Sequence, residues 1–561
     1  MRLWIYLLLV GGVVNAQPSC PPTPVYKACD MAFELDDAQV KAHPNPYLSV
    51  ELTAEFRSPR HRTLKLYGFW DGGRKMVIRF APNEIGDWEF RITSNLQQYE
   101  GKQGTMTATT SDAPGFLRAA NMHHWAYTDS NKPHLWMVDT NYDTKMSSDA
   151  FRALVDSRAA AKYTHLRTLG VAFTSPDIAA LQALDERVRY TNEKGLVFDM
   201  VLSDPGGQRD RYIRYIAARY AAFHITWQVF QAFEEVKNGR PLAREIGMAL
   251  KKYDPYQHPK TAGANVTSSP MAGDGWMDYI VYSSSDDQLG SIEHQLYAMP
   301  FVNAGIAEKN PDALRKQLWN TTMNGQYVGS VGVEPKQMTV WFEFFSDSRH
   351  WELEPYFDVD GGRAVALEGV EYVLYVEKPG PVEVRVERHG YDVAWVNPST
   401  GEQIKLKNYK GEKFAAEPPD ATHDWVLYLS REGRKASMLE SYKFDSREIS
   451  LQLQEIEGNA QKVPFVIVEP AKDEVSVSKP PAFAAKLRRE TRATRQMMWL
   501  WMGDVAADGQ GYRVLATGQS GTFTLPPDIA RNIPAILHLR LYGMNANGKV
   551  YESNAAHGIE R

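Results

Sequence analysis

Between residues 118 and 335 the chain repeats one rhythm, a short apolar run followed by a longer stretch of helical periodicity. "HLWMVD" precedes "SDAFRALVDSRAAAKY", "HLRTLGV" precedes "IAALQALDERVRYTNEK", "LVFDMVL" precedes "RDRYIRYIAARYAAF", and "ITWQVFQAF" precedes "PLAREIGMALKKY". "TAGAN", "DYIVYSS", "PFVNAG" and "YVGSVG" continue the strand-like runs, with the helical "DALRKQLWNTTMNG" between the last two. Strands joined through helices run parallel, and about eight such units in roughly 220 residues match a compact (β/α)8 barrel. No Gly-rich phosphate loop follows the first strand, which disfavours an open doubly wound sheet.

On both sides of this region the pattern becomes β-type. Residues 25–110 carry "YLSVELTAEF", "KMVIRFAP" and "GDWEFRITS" between Gly, Pro and Asn turn signals, which predicts a β-sandwich. After the barrel at 118–335, residues 336–430 predict a second sandwich with strands in "MTVWFEFFS", "EYVLYVEKPGPVEVRVE", "YDVAWVNPSTGEQIKL" and "HDWVLYLS". Residues 445–556 predict a final immunoglobulin-like module containing "SYKFDSREISLQLQEI", "VPFVIVEPA", "QMMWLWMGDV" and "ILHLRLYGM". The predicted fold class is therefore multidomain α/β plus all-β, a TIM-type barrel flanked by sandwiches. A chain of 561 residues is too long for a single core and fits this division.

The opening "MRLWIYLLLVGGVVNAQPSC" places Arg2 ahead of a short apolar run that ends at Val14-Asn15-Ala16. Residues 1–16 read as a secretory signal peptide, with an N-terminal anchor as the alternative. The chain is then expected to be secreted, extracellular or periplasmic, with no membrane span in the mature protein. Cys20 and Cys29, the only cysteines, are expected to form a disulfide in an oxidising compartment. A net charge of -5 and the absence of a Lys/Arg block argue against nucleic-acid partners.

In a parallel barrel the chemistry sits where the strands end, so the polar residues after each apolar run are the candidates. They include Asp139, Arg167, Asp204, Gln231, Glu234, Tyr282 and Asn303. Carboxylates, amides and aromatic rings together suit a polyhydroxylated ligand, here a polysaccharide or oligosaccharide. His123-His124, His258 and Glu293-His294 lack the helical His-to-His spacing of a zinc hydrolase, so no metal is assigned. No cofactor motif is present, and no serine-esterase elbow appears. The sequence leaves the oligomeric state open.

Several stretches carry a family resemblance. "GFWDGGRKMVIRFAPNEIGDWEFRITS", "HHWAYTDSNKPHLWMVDTNYD", "YDPYQHPKTAGAN", "LWNTTMNGQYVGSVG", "WELEPYF" and "YDVAWVNPSTGE" follow one another as in a secreted bacterial glycoside hydrolase-like family. Members of the family this chain resembles have an N-terminal domain of unknown function, an apiosidase-like (β/α)8 barrel and a C-terminal module labelled collagen-binding. The resemblance implies O-glycosyl hydrolysis by two glutamates, an acid/base after the fourth strand and a nucleophile after the seventh. The usual spacing from Trp227 puts Gln231 and Ala232 where Asn-Glu is expected, and "PFVNAGIAEKN" puts Ala304 and Gly305 at the nucleophile. Two accounts follow. Either Glu234 and Glu308 have taken over catalysis, or the pair is lost and the chain is a carbohydrate-binding pseudoenzyme. A matrix-adhesion protein that works through its sandwiches is a further alternative.

Overall fold

The computed structural model describes residues 19–433, 453–506, 508–526, 529 and 533–560. The expected signal peptide and most of the "SYKFDSREISLQLQEI" strand lie outside the described residues. Among the described residues no helix is long and apolar enough to cross a membrane.

The chain divides into two compact units. The first comprises residues 1–113 and 214–223. Its β-domain has a five-stranded sheet and a three-stranded sheet. Alternation produces the core: in Leu52–Arg57 and Gly86–Ser94, every second residue is buried, bringing Phe56, Trp88 and Phe90 inward. Cys20 and Cys29 are joined by a disulfide. Residues 214–223 are bound to this domain by two buried arginines. Arg79 pairs with Asp30 at 2.6 Å and donates to the Arg219 carbonyl at 2.6 Å, while Arg219 donates to Asp71 at 2.9 Å. Both guanidinium groups lie over the Phe69 ring, at 5.2 and 4.9 Å.

The second unit, residues 114–213 and 224–561, holds the barrel and the β-domains that follow it. The barrel strands are β1 Met137–Thr140, β2 His165–Leu169, β3 Val197–Leu202, β4 Ile225–Val229, β5 Lys260–Ala262, β6 Ile280–Tyr282, β7 Phe301–Ile306 and β8 Tyr327–Val331. All are parallel and hydrogen-bonded in the order 5-4-3-2-1-8-7-6. The seam between β5 and β6 carries Asp278 N to Lys260 O at 2.8 Å and Thr261 Oγ1 to Tyr279 O at 2.7 Å, so the barrel is nearly closed. Its helices are α1 Ser148–Ala160, α2 Ile178–Glu193, α3 Arg209–Tyr220, α4 Gly239–Tyr253, α5 Asp287–Leu296, α6 Pro311–Met323 and α7 Lys336–Ser346. A 3-10 turn, Ser269–Asp274, replaces the helix between β5 and β6. "YDPYQHP" ends α4 and supplies a buried hub, because Asp254 accepts from Trp227 Nε1 at 3.0 Å and faces His258 Nδ1 at 2.9 Å.

One sequence expectation is corrected here. "MTVWFEFFS" lies in α7 rather than in a strand. Met338, Trp341 and Phe345 are buried at helical spacing, and Trp341 packs on Phe345 at 5.1 Å. A dense aromatic run resembles a strand by composition, but the face it must bury recurs every three or four residues. Beyond α7, strands between Glu354 and Arg431 form one continuous eight-stranded sheet around Tyr372, Trp395 and Trp425. Strands between Phe465 and Glu560 form a three- and a five-stranded sheet around Trp499, Trp501 and Leu539.

A buried ion pair joins the barrel to the sheet that follows it. Arg315 on α6 donates to Asp424 at 2.5 to 3.1 Å, and Tyr375 donates to the same carboxylate at 2.8 Å. Removing one partner strands a buried charge. Asp424→Ala is therefore expected to destabilise the protein by about 3 kcal/mol, read as an earlier transition in chemical denaturation, with an unchanged transition contradicting this account.

Candidate functional site at the barrel mouth

Strand register decides which residues meet at the barrel axis. Arg167 on β2 lies beside Asp199 on β3, and their side chains pair at 2.6 Å with both groups buried. Tyr142, just beyond β1, and Tyr279, just before β6, sit close enough to feel both charges, and Tyr142 also contacts Gln228 of β4. Burial raises the pKa of Asp199, and Arg167 offsets that rise only in part. Deeper in the barrel, His165 Nε2 lies 2.9 Å from His134 Nε2 and its ring stacks on Trp136 at 3.5 Å. Burial pushes His134 down to about 3 and His165 well below its ordinary value, so both imidazoles are neutral. The floor of the mouth is thus a fixed polar layer.

After β4 the chain does not carry Glu234 onward in an extended strand. The strand ends at Val229, and Phe230 takes a left-handed backbone at φ 64°, an unfavourable conformation for a bulky residue. It is held by Phe230 N to Leu202 O at 2.8 Å and by Gln228 Nε2 to Phe230 O at 2.9 Å. Phe233–Glu235 then forms a 3-10 turn, pinned by Phe233 N to Gly263 O at 2.9 Å. Position 263 must be glycine, because a Cβ there would lie 2.2 Å from Gln231 O. The turn leaves Gln231, Glu234 and Glu235 solvent-exposed and buries Ala232. Glu234 accepts from Asn265 N at 3.1 Å, and desolvation by the surrounding loops raises its pKa.

At the end of β7 the chain is closed to side chains. The ladder to β8 shifts register between Asn303 and Ile306. A Cβ at Gly305 would stand 2.8 Å from Ser283 Cα, a backbone atom. Glu308 is half-buried, its carboxylate accepts from Asn310 N at 2.7 Å, and it borders a small pocket with Ser284, Asp287 and Asn320. That bond fixes the turn into α6.

The remaining sequence candidates face elsewhere. Asp139 pairs with Arg158 of α1 at 2.7 Å and accepts from Ser330 at 3.1 Å, so it serves the strand-helix layer. Asn303 donates to Ser284 O at 2.7 Å and lies 3.5 Å from Thr321 of α6. Asp204 holds Gly206 N and Arg209 at 2.9 and 2.8 Å at the start of α3. Tyr282 donates to Glu293 of α5 behind β6. Arg167, Gln231 and Glu234 are the candidates at the axis or the mouth. Asp199, Gln228 and Tyr142 were not singled out from sequence. An aspartate amid the apolar residues of "LVFDMVL" was the available signal.

The fold has counterparts in known proteins. Residues 23–95 match the family model described as a domain of unknown function, DUF5060. No curated protein matches the chain. A solved structure described as "a putative glycoside hydrolase" from Bacteroides vulgatus superposes with a TM-score of 0.64 at 16% identity, covering 73% of this chain and 100% of that one. A family 5 glycoside hydrolase from Bacteroides vulgatus gives 0.50 at 12% identity, covering 57% and 93%. A third structure, described as a glycoside hydrolase, gives 0.50 at 14% identity, covering 59% and 98%. The fold is glycoside hydrolase-like. At these identities the likeness concerns the fold alone.

Behind the mouth, Glu293 is wholly buried and accepts from Thr267 at 2.9 Å, Ser269 at 2.6 Å and Tyr282. Burial raises its pKa to about 7. The fold therefore favours the protonated acid: its contribution is complete below the ordinary value near 4.5 and is lost as pH rises to about 7. Wild type is expected to lose on the order of 2 to 3 kcal/mol between pH 4.5 and 8 relative to Glu293→Gln, measured by denaturation at both pH values. Parallel pH profiles for the two proteins would contradict the assignment.

Proposed function

We propose that this chain is an exported carbohydrate-binding protein built on a glycoside hydrolase-like barrel, and that it does not cleave glycosidic bonds by the two-glutamate route. One observation carries the reading: the position at the end of β7 where the family resemblance puts a nucleophile is Gly305, and Ser283 leaves no room for even a Cβ. The position after β4 is Ala232, which has no proton to give. The nearby glutamates are differently employed, Glu308 in the turn into α6 and Glu234 on Asn265 N. A retaining mechanism needs two carboxyl groups about 5 to 5.5 Å apart, and an inverting one about 6.5 to 9.5 Å, on either side of one glycosidic oxygen.

What the mouth offers suits binding. Tyr142 presents an aromatic ring, and Gln231 and Glu234 present exposed amide and carboxylate groups, over a floor fixed by Arg167 and Asp199. Sugar hydroxyls match such donors and acceptors, and a sugar's C–H face matches an aromatic ring. Export is supported by the apolar leader ending at Ala16 and by the Cys20–Cys29 disulfide, a bond characteristic of oxidising compartments.

The test pairs binding with turnover on a panel of soluble polysaccharides and oligosaccharides. The wild-type chain is expected to bind at least one of them by calorimetry and to release no reducing ends, and Glu234→Gln is expected to change that affinity by less than about tenfold. Release of reducing ends that falls by about 100-fold or more in Glu234→Gln would overturn the reading, since that is the loss expected on removing a general acid.

A further inference from the structure

At the end of the barrel opposite the mouth, four residues from three distant segments converge. His123 and His124 belong to the hairpin of Leu117–Ala120 and His124–Tyr127 that precedes β1, His294 to the last turn of α5, and Glu354 to the first strand after the barrel. His123 Nδ1 lies 3.0 Å from Glu354 Oε2, His294 Nε2 lies 3.3 Å from the same oxygen, and His124 Nε2 lies 3.1 Å from Oε1. The ligand atoms of His123, His294 and Glu354 all fall within 4.8 Å of one another.

Hydrogen bonding fixes what these atoms offer. His123 Nε2 is 2.9 Å from the Tyr297 carbonyl oxygen. A carbonyl only accepts, so Nε2 carries a ring hydrogen and Nδ1 is the nitrogen that faces the carboxylate. His294 is 1% exposed and its Nε2 has no hydrogen-bond partner, although it is aimed at the same carboxylate. Two imidazole nitrogens and a carboxylate oxygen therefore converge, one of the nitrogens buried and without a hydrogen-bond partner, which is a donor set of the kind that binds a cation. His124 takes another part. Its Nδ1 faces the Tyr327 hydroxyl at 2.9 Å and its Nε2 meets the second carboxylate oxygen, which orients Glu354.

We propose that His123 Nδ1, His294 Nε2 and Glu354 bind a divalent transition-metal ion, with zinc the best match, and that the ion clamps the barrel's lower end to the β-sheet that follows. Bonds of 2.0 to 2.1 Å at tetrahedral angles separate ligand atoms by about 3.3 Å, close to the 3.0 and 3.3 Å seen here. Imidazole nitrogen with carboxylate oxygen is a zinc-type ligand set. The location agrees with a structural role, because the lower face of such a barrel serves stability and its mouth serves chemistry. The Glu354 side chain is 29% exposed, which gives the ion access. The hairpin is also held from the same side, with Asn121 donating to the Trp351 carbonyl at 3.2 Å and Ala120 and Ala126 packed on Trp351.

The test uses the full chain, stripped with EDTA and dialysed against zinc alone. One zinc per chain is expected, with a Kd below about 1 μM and a melting temperature raised by at least about 2 °C. Uptake is expected to be lost in both His294→Ala and the near-isosteric Glu354→Gln, and kept in His389→Ala, which alters a histidine outside the cluster. No uptake by wild type at 10-fold the stated Kd would overturn the proposal and leave a protonated His123 paired with Glu354. Equal uptake by wild type, His294→Ala and Glu354→Gln would also overturn it, by placing the zinc elsewhere.

Discussion

Two opposite charges meet at the axis of the barrel, and the neighbouring structure is arranged around them. Taking Arg167 and Asp199 out of water costs several kcal/mol per ion, which a contact of 2.6 Å offsets only when the other lone pairs and protons are also met. Strand register puts the two side chains next to each other, and Tyr142, Gln228 and Tyr279 surround them from three further segments, while Arg167 Nη2 and Asp199 Oδ1 have no hydrogen-bond partner among the described residues. Below them, burial keeps His134 and His165 neutral, so no second positive charge competes for Asp199. The pair is held by its own contact and by burial on both sides. It serves as a fixed floor on which the loops after the strands build the mouth.

Those loops decide which side chains reach the mouth. After β4 the left-handed Phe230 and the 3-10 turn carry Glu234 off the line of the strand, and Gly263 makes room for the carbonyls that this turn brings close. After β7 the shifted ladder presses Gly305 against Ser283. Both features are backbone packing, and neither can be reversed by replacing one side chain. Glu234 and Glu308, the glutamates close by in sequence, both lie beyond the ends of their strands.

The repeat of strand and helix was legible because it depends on local periodicity, and the barrel follows from it. The direction of individual side chains was not. Asp139, Tyr282 and Asn303 end apolar runs, as catalytic residues do, yet each points toward a helix, because a one-residue change in parity moves a side chain to the opposite face of the sheet. The helical "MTVWFEFFS" resembles a strand by composition because its aromatic content masks its period. The His123, His294 and Glu354 cluster joins positions more than 50 residues apart, so no spacing rule could reveal it.

The barrel's two ends thus do different work: the lower end ties segments together with buried imidazoles and a carboxylate, and the mouth presents exposed polar groups over a rigid floor. The most direct test of that division is a crystal structure with the oligosaccharide the chain binds most tightly, and the measured quantity is the distance from each carboxylate to the nearest anomeric carbon. The account predicts a sugar ring against Tyr142, with Glu234 the one carboxylate within about 5 Å of any glycosidic oxygen. Two carboxylates on opposite sides of one glycosidic bond, about 5 to 10 Å apart, would contradict it and restore hydrolysis as the function of the mouth.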